Sequence, residues 1–230
     1  TDSTGKRITM ESGMVEEYVR QCPSRVVLYG RGHHHLELED DRTYLGTGGA
    51  ATQVLEMDTG EVRPSRTRDI ADFAALAEQL DGISFFVRPC VARDAPAEST
   101  TVNEFYASLA NTTKHVMGGV SDAQSADQVA ELARIITDSR PDFGERPFLS
   151  VIVNLVRSPL TFTPGAAKTI RRVVESDIPV TLSCAPMAGS TSPLTLAGTL
   201  AQLHAEELAG LVFTQILKPG CRAIYGGIPS

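Results

Sequence analysis

The chain has 230 residues, 42% of them hydrophobic and 21% charged, with a formal net charge of -7 and an isoelectric point of about 5.3. That composition is ordinary for a globular protein with a sizeable core. No Lys/Arg-rich run or basic tail occurs, which argues against nucleic acid as a partner, because phosphate binding needs a concentrated positive surface.

Residues 1–64 read as a strand-rich N-terminal module with one short helix. The DSTG stretch at residues 2–5 predicts a turn, and the alternation of Arg7, Ile8, Thr9 and Met10 a short strand. Met14, Val15, Tyr18 and Val19 fall at helical spacing, and that helix must stop before Pro23. RVVLYGRG and HHHLELED predict two strands that turn at residues 30–32, and further strand surrounds the turn at Asp58, Thr59 and Gly60. In the run His33, His34, His35, strand alternation puts His33 and His35 on one face. Two imidazoles hold a metal only with a third ligand from elsewhere, so a metal or substrate role stands against a surface or packing role. The Gly-rich residues 46–51 lack both the GKS/T ending and the GxGxxG spacing of phosphate loops, and read as a mobile loop or tight turn.

Residues 65–230 repeat one pattern. Thr67 or Asp69 caps a helix with the apolar stripe Ile70, Phe73, Ala74, Ala77 and Leu80; Gly82 ends it, and ISFFVRP follows as a buried strand. Thr101 or Asn103 starts a second helix that runs to Leu109, before a strand over residues 114–117. Ser125 caps a third, with Val129, Leu132, Ala133 and Ile136 inward, before a strand over residues 148–153. Pro164 sits in the first turn of a fourth, where proline is tolerated, and a strand covers residues 180–184. A long helix over residues 193–217 closes at Gly220, and CRAIYGG is the last strand.

Strand starts near Ile83, His115, Phe148, Val180 and Cys221 lie roughly 32 to 41 residues apart, the length of a crossover unit. One strand per helix in strict order predicts an α/β protein with a parallel sheet. No Gly-rich fingerprint follows the first strand, which favours a (β/α)8 TIM barrel over an open dinucleotide-binding sheet. Five strands do not close a barrel of eight. Either the strands of the early module substitute or about three units are missing, and a partial barrel is the favoured expectation.

In a barrel the chemistry sits at the carboxyl ends of the strands. Those ends carry Arg88 and Cys90; Met117, Gly118 and Gly119; Asn154; Cys184, Ala185 and Met187; and Tyr225. The set is poor in carboxylates, so hydrolysis by paired acids is not expected. Lys114 starts its strand, Lys168 is on a helix and Lys218 follows one, which disfavours a Schiff base. Arg88 meets a substrate carboxylate or makes a structural ion pair; Asn154 contacts substrate or anchors a loop. Arg88, Asn154, Cys184, Met187 and Tyr225 form the candidate substrate-binding set, and no residue is assigned a catalytic role. SCAPMAGSTSPLTLAG leads from a strand to a helix start whose free N–H groups can face an anion or polar ligand. His204 shares a stripe with Ala197, Leu200, Leu208 and Leu211 and reads as buried.

Cys22, Cys90, Cys184 and Cys221 are widely spaced with no CxxC, which predicts a reducing, cytoplasmic setting. No signal-peptide pattern is seen at the start. The apolar run over residues 194–217 carries His204, Glu206 and Glu207, as a helix in protein rather than in lipid does, so no membrane association is expected.

The segments GRGHHHLELEDDRTYLGTGGAA, MDTGEVRPSRTRDI, SCAPMAGSTSPLTLAGTLAQLHAEELAGLVFTQILKPG and AIYGG resemble the trimethylamine methyltransferase family, corrinoid-dependent enzymes that include glycine betaine methyltransferases. The likeness runs from about Asp2 to Gly227 and is specific from Ser183 onward. It implies a TIM barrel that moves a methyl group from a methylated amine or betaine to the cobalt of a separate, cognate corrinoid protein. Cobalamin then belongs to the partner, and no cofactor or metal is held tightly by this chain. The family position that holds pyrrolysine in the trimethylamine enzymes is expected beyond Ser230, and a helical portion before Thr1. A homo-oligomer is the expected assembly.

A quaternary amine leaves as a neutral amine, so the transfer needs no acid; the protein must hold the cation, strip its water and aim one methyl. Ala185, Ala188, Gly189 and Ser190 are expected to face the wide corrin ring. Phe86, Tyr106 and Tyr225 are the candidates for an aromatic cage, with core packing the stronger expectation for Phe86. Two other readings stand beside this one: a zinc enzyme drawing on Cys90, Cys184 and His115, and a non-catalytic barrel scaffold that binds a corrinoid protein.

Overall fold

In the computed structural model, which describes residues 7–39, 41–137 and 143–228, the chain runs from small hairpins into a parallel sheet. The turn expected at residues 2–5 lies outside the described residues, and residues 7–10 join no sheet, so the strand expected there is absent. Helix α1 (Ser12–Gln21) forms where the spacing predicts it. Strands β1 (Val26–Tyr29) and β2 (His35–Leu38) pair antiparallel, and β3 (Gln53–Leu55) and β4 (Val62–Pro64) do the same around Gly60, whose φ of 71° suits a residue without Cβ. His33, His34 and His35 are all exposed, and only His35 belongs to a strand, so the surface reading holds and the shared strand face does not exist.

Five crossover units follow: α2 (Thr67–Glu78), β5 (Phe85–Val87), α3 (Thr100–Asn111), β6 (His115–Gly119), α4 (Ala123–Ile136), β7 (Leu149–Val153), a hairpin of β8 (Val156–Arg157) and β9 (Thr161–Phe162), α5 (Pro164–Glu175), β10 (Val180–Leu182), α6 (Leu196–Leu217) and β11 (Ala223–Tyr225). The sheet order β11-β10-β7-β6-β5 is parallel throughout, with a helix between successive strands. This is an α/β arrangement with a parallel five-stranded sheet, and the β1–β2 and β3–β4 hairpins lie N-terminal to it in the chain.

Leu149, Val151, Val180 and Leu182 of the central strands pack against Val129, Ala133, Ile170 and Val173 of the helices, all fully or nearly fully buried. Each of the Leu, Val and Ile side chains contributes about 1.5–3 kcal/mol by leaving water. Asp122, not Ser125, caps α4: its carboxylate accepts the Ser125 N–H at 2.8 Å. Helix α6 also departs from expectation. It buries Thr199, Leu203, Glu206, Glu207, Gly210 and Leu211, whereas Ala197, Leu200 and His204 are exposed. Apolar residues occur all round this helix, so periodicity alone does not choose its inner face.

The amino end of the sheet is closed by the β1–β2 hairpin. Tyr29 N–H donates to Pro147 O at 3.3 Å, and buried His115 bridges Tyr29 O and Ser150 Oγ, each at 2.8 Å. Burial pushes the His115 imidazole down to about 4, a neutral ring, although its backbone hydrogen bonds oppose that shift. Lys114 is buried beside it and donates through Nζ to Ala77 O in the last turn of α2 and to Leu80 O just after it.

Residues 45–51 are a corrected expectation. They are neither mobile loop nor tight turn but lie parallel along the outer edge of β5, with bridges Gly46 to Phe85 and Ala51 to Cys90. Thr47 Oγ1 donates to Val87 O at 2.6 Å and accepts the Val87 N–H at 2.9 Å, doing with a side chain what a strand does with its backbone. A Cβ at Gly46 would run into the Phe85 ring, which explains the glycine.

Candidate functional site

With the amino end closed, space opens at the carboxyl ends. A cavity of about 980 Å³ is lined by the ends of β5, β6 and β7, the chain after β10, the first turn of α3 and the Gly48–Gly49–Ala50 stretch along the β5 edge. Phe85, Val87, Met117 and Ile152 make one apolar wall; Asn154, Ser183, Thr100 and Thr101 are polar. Phe85 is the one aromatic ring in the lining among the described residues. Of the cage candidates, Phe86 is buried in the core, Tyr106 is exposed on α3, and neither they nor Tyr225 line the cavity.

Arg88 and Glu104 are the only charged side chains in the lining among the described residues, and they form an ion pair from Arg88 Nη1 to Glu104 Oε2. Glu104 comes from α3, 2% exposed, and its other oxygen accepts the Ala92 N–H at 2.9 Å. Burial pushes its carboxyl upward; the Arg88 charge and the Ala92 N–H oppose that shift. Arg88 is thus in a structural ion pair and also on the cavity wall.

Two further carboxylates reach this end from α6. Glu207 Oε1 accepts the Cys184 N–H at 2.9 Å, while its Oε2 is buried with no hydrogen-bond partner among the described residues. Burial raises the Glu207 pKa, and Glu206 adds to the rise. Glu206 accepts Ser158 Oγ at 2.6 Å and Leu160 N–H at 2.9 Å, pinning the β8–β9 hairpin. The strand termini lack acids, but Glu104, Glu206 and Glu207 arrive from helices and are buried there. The signal available in the sequence was the charge of adjacent Glu206 and Glu207 inside a helix with no other Asp, Glu, Lys or Arg.

Of the candidate substrate residues, the structure brings Arg88 and Asn154 together in the cavity, with Ala185. Cys184 is 3% exposed within the core, its thiol raised chiefly by burial and by Glu207. Met187 and Tyr225 are exposed outside the lining, Tyr225 Oη lying 3.1 Å from His204 Nδ1. Ala188, Gly189 and Ser190 are exposed on the loop after β10, where Gly189 adopts φ 74°. His204 is exposed, contrary to expectation, because the face of α6 that packs is the adjacent one.

The zinc reading loses its geometric basis. Among the described residues no group of three or more His, Cys, Asp or Glu converges to hold a metal, and His115 is locked at the opposite end of the sheet. Burial raises the Cys90 thiol to about 11. All four cysteines are free. No described helix is long and apolar enough to cross a membrane.

The family model for trimethylamine methyltransferase (MTTB) matches residues 1–230. The chain belongs to the trimethylamine methyltransferase family. Similar proteins include a trimethylamine methyltransferase of Desulfitobacterium hafniense strain DSM 10664 / DCB-2, 27% identical over 98% of this chain and 45% of the relative. A glycine betaine methyltransferase of D. hafniense strain Y51 is 28% identical over 96% of this chain and 46% of its own length. A trimethylamine methyltransferase of Methanosarcina thermophila is 26% identical over 98% and 48%. The chain therefore spans about half the length of these curated relatives.

Proposed function

We propose that this chain is the larger part of a (β/α)8 barrel that moves a methyl group from a methylated amine or betaine to the cobalt of a separate corrinoid protein. The observation that carries the reading is a wide cavity at the strand ends, walled by apolar and small residues, in a chain matched along its length by the family. Residues 1–64 serve as the module that closes the amino end and lies along the β5 edge, and residues 65–230 as the barrel units.

In this reading the corrinoid carried by the partner supplies the methyl acceptor, and this chain supplies position. Phe85, Val87, Met117 and Ile152 hold the N-methyl groups away from water. Asn154 and Arg88 fix the polar end. A quaternary nitrogen leaves with its electron pair as a neutral amine, so no proton need be delivered, and orientation alone lowers the barrier by up to about 7–11 kcal/mol. Ala185, Ala188, Gly189 and Ser190, small and exposed at one end, fit the close approach of a broad planar group. Met187 and Tyr225 belong to that outer face, and Cys184 holds its strand end through Glu207.

The test is to mix the full-length protein with its reduced corrinoid partner and a panel of methylated amines including glycine betaine and trimethylamine, following the corrinoid spectrum. Conversion to the methylated form with at least one amine is expected. No conversion with any of them, with the reduced corrinoid verified, would leave the scaffold reading in its place.

A further inference from the structure

We infer that Arg88 is the specificity residue of the cavity: it binds the carboxylate of a methylated amino acid, with Glu104 orienting its guanidinium and setting how strongly it prefers an anion. This rests on the methylated-amine reading above and names which methylated amines the site favours.

The hydrogen bonds are one-sided. Both oxygens of Glu104 are engaged, one by Ala92 N–H and one by Arg88 Nη1, so its near lone pairs are already directed to the protein. Arg88 has five N–H donors in a planar fork, and the ion pair engages Nη1. Its Nη2 approaches Gly119 on the cavity wall, where an added Cβ would stand 3.2 Å away; the glycine leaves the space beside that nitrogen open. Among the described residues the cavity lining therefore offers donors to a ligand, not a free carboxylate.

Two neighbours push the same way. The first turn of α3, Thr100 and Thr101, lines the same space, and the amino end of a helix favours negative charge. The exposed amide of Asn154 adds a further donor to the wall. A ligand that is only a cation meets Arg88 with nothing of opposite charge left over. One that carries a carboxylate beside its methylated nitrogen pairs that carboxylate with Arg88 and lays its methyl groups on Phe85 and Met117.

The experiment is calorimetric binding to the full-length protein of three probes: glycine betaine, its methyl ester, and tetramethylammonium. Glycine betaine is expected to bind at least about tenfold more tightly than the ester. Arg88→Met should bring that ratio close to one while leaving ester binding in place, which also shows that the variant is folded. Gly119→Ala keeps every charge but crowds Nη2, and should lower betaine affinity alone. Glu104→Gln keeps an acceptor for Ala92 N–H and removes the opposing charge, so the ratio should rise at least about threefold; a merely structural role for Glu104 would not move it. Equal binding of betaine and ester by the unmodified protein, or an unchanged ratio in Arg88→Met, overturns the inference. If ester and tetramethylammonium bind and donate methyl groups with no advantage to the carboxylate, this inference fails and the methyltransferase reading survives. If no probe binds and no methylated amine of the wider panel, trimethylamine included, donates a methyl group, both fail.

Discussion

His115 shows how one side chain ties two elements together, its ring nitrogens engaged by Tyr29 O on one side and Ser150 Oγ on the other. Protonation would place a charge in a fully buried site, although both ring nitrogens face an oxygen. Its folded pKa, about 4, lies below the ordinary histidine value of 6.5, so the stability it contributes is full above about 6.5 and is lost as pH falls toward 4. The expected loss is on the order of 3 kcal/mol. Urea unfolding at pH 7.5 and 4.5 should show His115→Gln less stable than the parent at the higher pH and closer to it at the lower. Gly30 is a second tight point: a Cβ there would stand 2.5 Å from Thr113 O, which is backbone and cannot swing away. Gly30→Ala should cost about 1–3 kcal/mol through displacement of the β1–β2 hairpin, read as a lower urea midpoint. Neither role was visible from the residues themselves. His115 was legible only as lying at the wrong end of its strand for chemistry, because its partners are distant in the chain.

Among the elements, those with a clear apolar face were the most legible. Helix α5 buries Ile170, Val173 and Val174 in one stripe, and Pro164 starts it as expected. Helix α6 was found but its rotation was not, since apolar side chains surround it and three-dimensional packing chose the face with Glu206 and Glu207. The β8–β9 hairpin was missed because two strands of two residues each carry no periodic signal. What holds that hairpin is Glu206, through Ser158 and Leu160. Glu206→Ala should leave these donors without their acceptor, cost about 1–3 kcal/mol, and speed hydrogen exchange at the Leu160 amide well before exchange in β7 changes. Uniform acceleration across the sheet would show instead that Glu206 supports the whole fold.

At the scale of the molecule, the two ends of the sheet differ: the amino end is sealed by β1, β2 and Lys114, and the carboxyl end opens into the cavity. Ser190 stands exposed on the loop after β10, outside the cavity lining. Ser190→Trp is expected to reduce methyl transfer to the corrinoid partner by at least about tenfold, while glycine betaine binding measured without the partner stays close to the parent value. A parallel loss of both would place Ser190 among the substrate contacts instead.

The sequence by itself determined the alternation of helix and strand, the parallel order that follows from it, and the strand ends at which Arg88, Asn154 and Ala185 meet. These are encoded locally, in residue periodicity and turn chemistry, and the crossover rule then orders them. Only the tertiary structure decided that Glu104 faces Arg88, that residues 45–51 lie along β5, and that α6 turns two glutamates inward. Each of these depends on contacts between residues distant in the chain or on the rotation of a helix without a marked polar side, and periodicity carries neither.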